Sequence, residues 1–515
     1  MKYISSILYM ISTKKVLLSI LALIFSVGWT EAQIGYFEDA LRFSQFRSTG
    51  SARIMGLGGA QMSLGGDVSN IHGNPAGLGF FRRSEVSFSP SFSTWNTESN
   101  FLGQIQNDRT GNFAIPNISL VISRPKGPLS TGAFRGGSFG FSFNRMNLFN
   151  TQFGYFSDNE GQTSIIDHFI QRADGIPESQ IENFGLTGLA YQTYLINPIS
   201  QDQSGNPIIN PTQYDSFVLG FPFQDEIINT DGRISQTSFS YGANFLNKFF
   251  VGAGLGLTSI IYNSQKDYGE EFFGEPLLTT TILENLSMNG FGATINLGVI
   301  YKPIEQLNLG LNFQSPTWYR INEQYEARMI NFFDNFLFEP ENIVLAREEA
   351  ETPLILGTYN LNTPLRLSGG LTYFFSKNGF ITADIDYLDF SQSRINSRDF
   401  NASADNQEIR RSFGQTFNYR VGGEYRFDIW RIRGGYGLYG DPFRNPQGFD
   451  RSTQQFTGGA GVRLQKMYVD FTFISSQFRQ LYSSYDFIEN GVNIGPTTEI
   501  RNIISTGLLT VGFNF

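Results

Sequence analysis

Phe417-Asn418-Tyr419-Arg420-Val421-Gly422-Gly423-Glu424-Tyr425-Arg426-Phe427-Asp428 is the stretch that decides the fold. Phe417, Tyr419, Val421, Tyr425 and Phe427 share one face of an extended chain; Asn418, Arg420, Glu424, Arg426 and Asp428 share the other. Side chains of a strand alternate between its two sides, so this is a strand with one aromatic, apolar face and one charged face. The same rule holds for Leu365, Leu367, Leu371 and Tyr373 against Arg366, Ser368 and Thr372, and for Ile432, Tyr436 and Leu438 against Arg431 and Arg433. It returns in Val469, Phe471 and Phe473 against Asp470 and Thr472.

Extended in both directions, this pattern predicts about fourteen strands between residues 84 and 515. Two-faced strands also fit a soluble sandwich, and loop lengths separate the two folds. Connections at 95–112, 150–234, 264–286, 321–362, 392–413 and 481–500 read as long. Those at Asn247-Lys248, Lys377-Asn378, Asp428 and Gln465-Lys466 are tight. Alternation of long and short loops with an even strand count is the signature of a transmembrane barrel. The expected fold class is therefore all-β, a transmembrane antiparallel β-barrel of about 14 strands, closed because hydrocarbon leaves no partner for a sheet edge.

Composition agrees with that class. Charged residues are 16% and aromatic ones 15% of the 515, with 51 Phe and 55 Gly. The chain has no Cys, which excludes disulfides, Cys-based metal sites and thiol nucleophiles. A net charge of −9 without a basic run argues against a nucleic-acid partner. Lys14 and Lys15 precede the apolar run Val16–Val27, and Thr30-Glu31-Ala32 follows with small residues at cleavage spacing. Residues 1–32 are thus expected to be a signal peptide. Residues 33–83 are read as an N-terminal hatch and 84–515 as the barrel, with a large outer insertion at 150–234.

The hatch is read from GSARIMGLGGAQMSLGGDVSNIHGNPAGLG, Gly50–Gly79, which holds nine glycines and ends where the alternating strands begin. A barrel of about fourteen strands is wider than its own side chains can fill, so a plug folded back inside is expected. This run, with Asp67 ahead of a polar turn and Asn74-Pro75-Ala76-Gly77-Leu78 after it, resembles the N-terminal hatch of the FadL/TodX outer-membrane transporters for long-chain fatty acids and other hydrophobic compounds. Asn362–Leu371 and Arg431–Tyr436 are similar to late strands of that family, and the terminal Leu509–Phe515 resembles the signal read by the barrel-assembly machinery through Phe515.

The resemblance implies a channel in the outer membrane of a Gram-negative bacterium, in contact with its lipids, for passive uptake of hydrophobic small molecules. Asn74, Pro75, Ala76, His72 and Asp67 become hatch and gating residues. Gln33, Ile34, Tyr36 and Phe37 become inner ligand-binding candidates, and the aromatics Phe332, Phe333 and Phe336 outer ones. The family builds its outer groove with helices in the third and fourth loops; here the fourth, 321–362, has a suitable aromatic piece, while the largest insertion is in the second. Within that insertion, Ser164–Asp174 and Pro177–Leu195 have helical cap signals. They read either as a lid over the mouth or as a loop packing its own core. Gly136, Gly137 and Gly140 in the third strand mark a candidate lateral gap.

Arg366, Arg420, Arg426, Arg431 and Arg433 with Glu424 are expected on the lumen face, neutralising one another or holding a carboxylate. Of the two histidines, His72 reads as a hydrogen-bonding residue rather than a haem ligand, and His168 lacks a glycine-flanked nucleophile. No enzyme activity, cofactor or metal is expected. An alternative function is a surface adaptor that binds a secreted protein through the outer loops. A continuous tunnel past the hatch would favour transport, and a sealed lumen an adaptor.

Overall fold

Alternation becomes a cylinder in the computed structural model, which describes residues 35–515 apart from 46, 128–129, 158–162, 203, 376 and 445–447. The expected leader, Gln33 and Ile34 lie outside the described residues. The main sheet contains nineteen segments, which make fourteen antiparallel strands because four strands are interrupted once and one segment, Ile343–Glu351, only extends a loop. In chain order they are β1 Glu85–Phe101, β2 Gln104–Pro125, β3 Phe134–Leu148 continued by Thr151–Phe156, β4 Phe223–Phe245, β5 Phe249–Glu271 and β6 Leu277–Ile304. Next come β7 Leu307–Gln314 continued by Trp318–Phe338, β8 Ile355–Asn362 continued by Arg366–Phe375, and β9 Gly379–Asp389 continued by Arg394–Ser397. The series ends with β10 Gln415–Phe427, β11 Trp430–Tyr439, β12 Thr453–Arg463, β13 Met467–Tyr482 and β14 Thr498–Asn514. β14 pairs β1 from Glu85↔Asn514 to Asn100↔Glu499, which closes the ring.

Burial shows which side is which. Phe417, Tyr419, Val421, Leu367, Leu371, Ile432, Phe471 and Phe473 are exposed, whereas Asn418, Arg420, Glu424, Ser368, Thr372, Arg433, Asp470 and Thr472 are buried. An apolar outside around a polar inside is the reverse of a soluble protein and is what a lipid-facing barrel requires. The two-faced reading of the strands therefore holds, and the sandwich is excluded.

Several loops differ from expectation. Residues 95–112 are a β-hairpin: β1 and β2 run on to a two-residue turn at Leu102-Gly103, both with positive φ (49° and 91°). Residues 264–286 are also mostly strand, with only 272–276 between β5 and β6. The aromatic piece around Phe332–Phe338 is the outer end of β7, paired with Ile343–Glu351, rather than a helix. At the outer end of the β1–β2 hairpin nearly all side chains on both faces are polar, so the period-two signal fades there while the backbone ladder persists.

In the insertion, helix Ile165–Ala173 forms as expected: the Ser164 side chain accepts from Ile166 N, and Asp167 completes the capping box. Residues 177–195 form two short helices, Glu178–Ile181 and Gly185–Gln192, instead of one. Their apolar faces, with Ile165, Ile166, Phe169, Leu189 and Ala190, pack on Tyr268, Leu277, Ile282, Tyr325, Met329 and Phe333 of the loop-end strands. The insertion is thereby folded onto the barrel mouth.

Candidate functional site: a seated hatch, an aromatic chamber and an interrupted wall

The hatch is built from short turns because glycine, proline and capping residues punctuate it. It contains helices Phe37–Arg42 and Ala52–Met55 and the 3-10 turns Val68–Ile71 and Pro75–Phe80. Ser51, Asp67 and Asn74 cap the last three with their side chains. Asn74 does more: its Nδ2 donates to the Met62 carbonyl at 2.6 Å within the hatch and to the Leu311 carbonyl of the wall at 3.3 Å. Pro75 and Ala76 are fully buried at the start of the turn.

The wall meets this turn and the rest of the hatch with glycines. A Cβ at Gly252 would lie 2.3 Å from Pro75 C, one at Gly242 2.4 Å from Pro75 O, and one at Gly310 2.1 Å from Met62 O. One at Gly422 would lie 2.4 Å from Leu57 O, and one at Gly435 2.2 Å from Gly58 N. These positions face inward on β4, β5, β7, β10 and β11, so hatch backbone rests directly on barrel backbone. Polar bonds fill the intervals. Asn296 donates to the His72 and Gly73 carbonyls, Ser240 to Ile71 O, Asn308 to Ser63 O and Thr472 to Ala52 O, while Asp384 Oδ2 accepts from Gln61 N and Met62 N. Strands β2 to β14 each touch the hatch, near the end of the barrel that carries the short turns.

The expected lumen charges act mainly as clamps. Arg420 holds Asp386 through two bonds of 2.5 and 2.8 Å, with Asp384 at 3.6 Å. Glu424 accepts from Arg433 and Arg426, each at 2.7 Å, and from the hatch residue Arg53 at 3.3 Å. Arg366 bonds Gln314 Oε1 at 2.5 Å, and Arg431 bonds the Asp428 and Trp430 carbonyls at the edge of the barrel. Arg53, Asp384 and Asp386 were missed by pattern reading; Asp384-x-Asp386 has the spacing of two inward positions on one strand. Asp67 accepts from Ser51, Ser69 and Ser69 N, which makes it a cap inside the hatch. His72, outside the spanning strands, bonds the Thr49 carbonyl at 3.0 Å, and burial lowers its pKa to about 4, so its ring is neutral.

About ten residues further along the strands the lumen becomes aromatic. Tyr262, Tyr319, Tyr359, Leu361, Leu388, Ile395 and Phe413 form a cluster that encloses Ala40 of the N-terminal helix Phe37–Arg42 and Phe43, which caps its C-terminal end. Tyr36 stacks on Phe400 at 4.1 Å, and Phe37 lies 6.2 Å from Phe413. The Tyr359 hydroxyl donates to buried Asp39 at 2.7 Å. The outer candidates divide. Phe333 is buried and Phe336 stacks on Phe217 at 4.6 Å, in the cluster under the insertion, whereas Phe332 points outward with Arg347 over its ring. Phe332 therefore does not line the lumen, because it occupies an outward register position of β7.

The wall is interrupted at β3, though away from the glycines singled out above. Gly136, Gly137 and Gly140 pair with Pro125, Arg124 and Val121 of β2 on one side and with Asn244, Ala243 and Ser240 of β4 on the other. Gly136 has φ +118° at a bulge and Gly140 receives Ile71 of the hatch. The β2–β3 ladder instead ends at Asn117↔Asn144. The next residue of β2 is Pro116, which has no N–H to donate, and β3 shifts register between Arg145 and Asn147. Beyond that point the two strands touch through side chains: Asn112 Nδ2 to Asn150 O, Gln152 N to Thr110 Oγ1 and Gly154 N to Asp108 Oδ2. Phe101 of β1 packs against Tyr155 of β3 at 4.5 Å, so β3 leans inward across the face of β2.

An outward-apolar barrel of fourteen strands, plugged from within by its own N-terminal segment, defines a transmembrane hatch barrel. Its fold is that of the FadL/TodX transporters. The chain is similar over 91% of its length to the crystal structure of a Pseudomonas aeruginosa FadL homologue, with 14% identity, 99% of that chain covered and a TM-score of 0.53. It is similar over 92% of its length to the Pseudomonas putida toluene transporter TodX, with 12% identity, 100% coverage and a TM-score of 0.51. No family model matches the sequence, and no curated protein matches it.

Proposed function

We propose that this chain is an outer-membrane channel for passive uptake of hydrophobic small molecules, long-chain fatty-acid or hydrocarbon-like, in a Gram-negative bacterium. The observation that carries the reading is a combination: the lumen is filled by the hatch at its short-turn end, and the wall above that seal is unladdered between β2 and β3. A solute that enters the aromatic chamber meets, along the axis, hatch backbone seated on wall backbone. It has a sideways way out where only side chains bridge two strands. Close seating of the hatch, which alone would favour an adaptor, is compatible with transport when the exit is lateral, into the membrane. Similarity of fold to a toluene transporter supports an apolar cargo.

In this mechanism the insertion and the outer ends of β6 and β7 collect the solute. The chamber around Tyr262, Tyr319 and Tyr359 holds it, and the helix Phe37–Arg42, which occupies that chamber, is the part of the hatch that must move. Gating by the hatch is then displacement of its N-terminal piece, while the Asn74-Pro75-Ala76 turn stays seated. Phe515, whose N–H and carbonyl pair with Ser84, supplies the terminal aromatic for assembly.

The test uses the absence of native cysteine. Asn112→Cys with Asn150→Cys places a reducible bridge across the unladdered seam. Uptake of a labelled alkane or fatty acid should fall when the pair is oxidised and return on reduction, with each single variant unaffected. Uptake unchanged after verified cross-linking would refute the lateral exit.

A further inference from the structure

Beneath the hatch, at the short-turn end, lies a cavity of about 300 Å³ lined by Arg53, Asp67, Glu424, Arg426, Arg431 and Arg463, with Glu85 and Tyr468 at its side. Its charges do not balance. Glu424 is shared among three guanidinium groups, those of Arg53, Arg426 and Arg433. Asp470 behind it is shared between Arg433 and Arg463, at 2.8 and 2.9 Å. Asp67 is held by serines and by a backbone N–H, with Arg53 3.6 Å away. Glu85 has no arginine within ion-pair distance among the described residues, although Arg463 and Arg53 act on it from further off; it accepts from the Tyr468 hydroxyl at 2.5 Å. Among the described residues Arg431 has no carboxylate within ion-pair distance, only two carbonyls of its own turn. The Arg463 guanidinium carbon lies over the Tyr468 ring, 4.0 Å from its centre, a cation–π contact that holds it at the cavity wall.

Guanidinium groups that outnumber the carboxylates around a water-accessible cavity form a receptor for an oxyanion, because each offers a planar pair of donors matched to carboxylate or phosphate. We infer that this cavity is an oxyanion-binding site open to the periplasmic side, taking a phosphate or carboxylate group on Arg431 and Arg463. Arg53 ties occupancy to the hatch. It reaches the cavity from the hatch and shares Glu424 with the wall, so an anion that draws Arg53 towards itself competes with Glu424 and loosens that clamp. The site rests on the seating of the hatch and is independent of what the channel carries.

The experiment uses the full mature chain in detergent, with inorganic phosphate and acetate as separate probes at constant ionic strength. Binding is read by calorimetry and by the midpoint of heat-induced unfolding of the barrel. Saturable binding of phosphate, or of acetate, is expected. Arg431→Ala and Arg463→Ala should each weaken it about tenfold, the scale of one lost charge-assisted bond. Arg431→Lys should retain part of it, and Arg479→Ala, a pair with Glu499 at the far end of the barrel, should leave it intact. If Arg431→Ala does not fold, Arg431→Gln replaces it. Absence of saturable binding, or binding indifferent to both arginines, overturns the proposal. Transport assays do not enter this test, so its failure leaves the uptake reading standing, and the reverse.

Discussion

Replacing Gly252 with alanine tests the seating of the hatch at one atom. The added Cβ would fall 2.3 Å from the carbonyl carbon of Pro75 and 2.4 Å from the nitrogen of Ala76. Both are backbone atoms of a turn capped by Asn74, so no side chain can swing aside. Gly458, also in a barrel strand, has nothing within 4 Å of such a Cβ and serves as the control. Overpacking of this kind costs about 1–3 kcal/mol, against a gain of ~0.4–1 kcal/mol from stiffening the unfolded chain, which the control shares. The difference displaces the seated hatch in favour of a raised one by roughly 5–150-fold. Planar-bilayer conductance reads this directly: Gly252→Ala should leak, with frequent openings, while Gly458→Ala and the parent chain stay closed. Heat-modified electrophoretic mobility confirms that the barrel of both variants is folded. A folded Gly252→Ala barrel with the parent's conductance would refute direct backbone seating.

Three further outcomes are expected. Arg420→Ala strands Asp384 and Asp386 without their buried counter-ion and should cost about 3–5 kcal/mol, seen as a lower unfolding midpoint; Asp386→Asn with Arg420→Met should recover part of it. Ser164→Ala removes both the helix cap and a 2.6 Å donor to Glu270, and should destabilise the mouth insertion by about 0.5–2 kcal/mol, measured as faster amide exchange in Ile165–Ala173. His72 is neutral in the folded hatch because its pKa is lowered to about 4. The unfolded ring binds more protons as pH falls from about 6.5 towards 4, so stability of the seated hatch is complete above that window and declines within it. His72→Gln should flatten that part of the conductance-versus-pH curve.

The strands were legible because membrane-facing positions are paid for residue by residue: Phe417, Tyr419 and Val421 cannot be exchanged with Asn418 and Arg420 without placing charge in lipid. The mouth helix was legible from Ser164 and Asp167, whose cap geometry is local. Strand lengths were not, since Asn96–Gln106 meets water or polar lumen on both sides and keeps its ladder without an apolar stripe. The hatch glycines stood out as a cluster, whereas their partners Gly242, Gly252, Gly310, Gly422 and Gly435 are spread over 194 residues of unremarkable strand and become a set only when the cylinder closes. The wall's weak point was sought at glycines, and lies instead where Pro116 denies β3 a donor. Placing Phe332 in a groove failed because aromatic content does not say which register position a residue takes.

The join between β14 and β1, completed by the mutual bonds of Ser84 and Phe515, also imposes an order on biogenesis. The first strand cannot find its last neighbour until the whole chain has been made, and the segment preceding that strand lies inside the cylinder that the two then close. The seat of the plug is made by strands β2 to β14 together, so it is complete only when those strands stand side by side. Seating of the hatch and closure of the wall are therefore coupled, the plug acting as a core against which the staves are set.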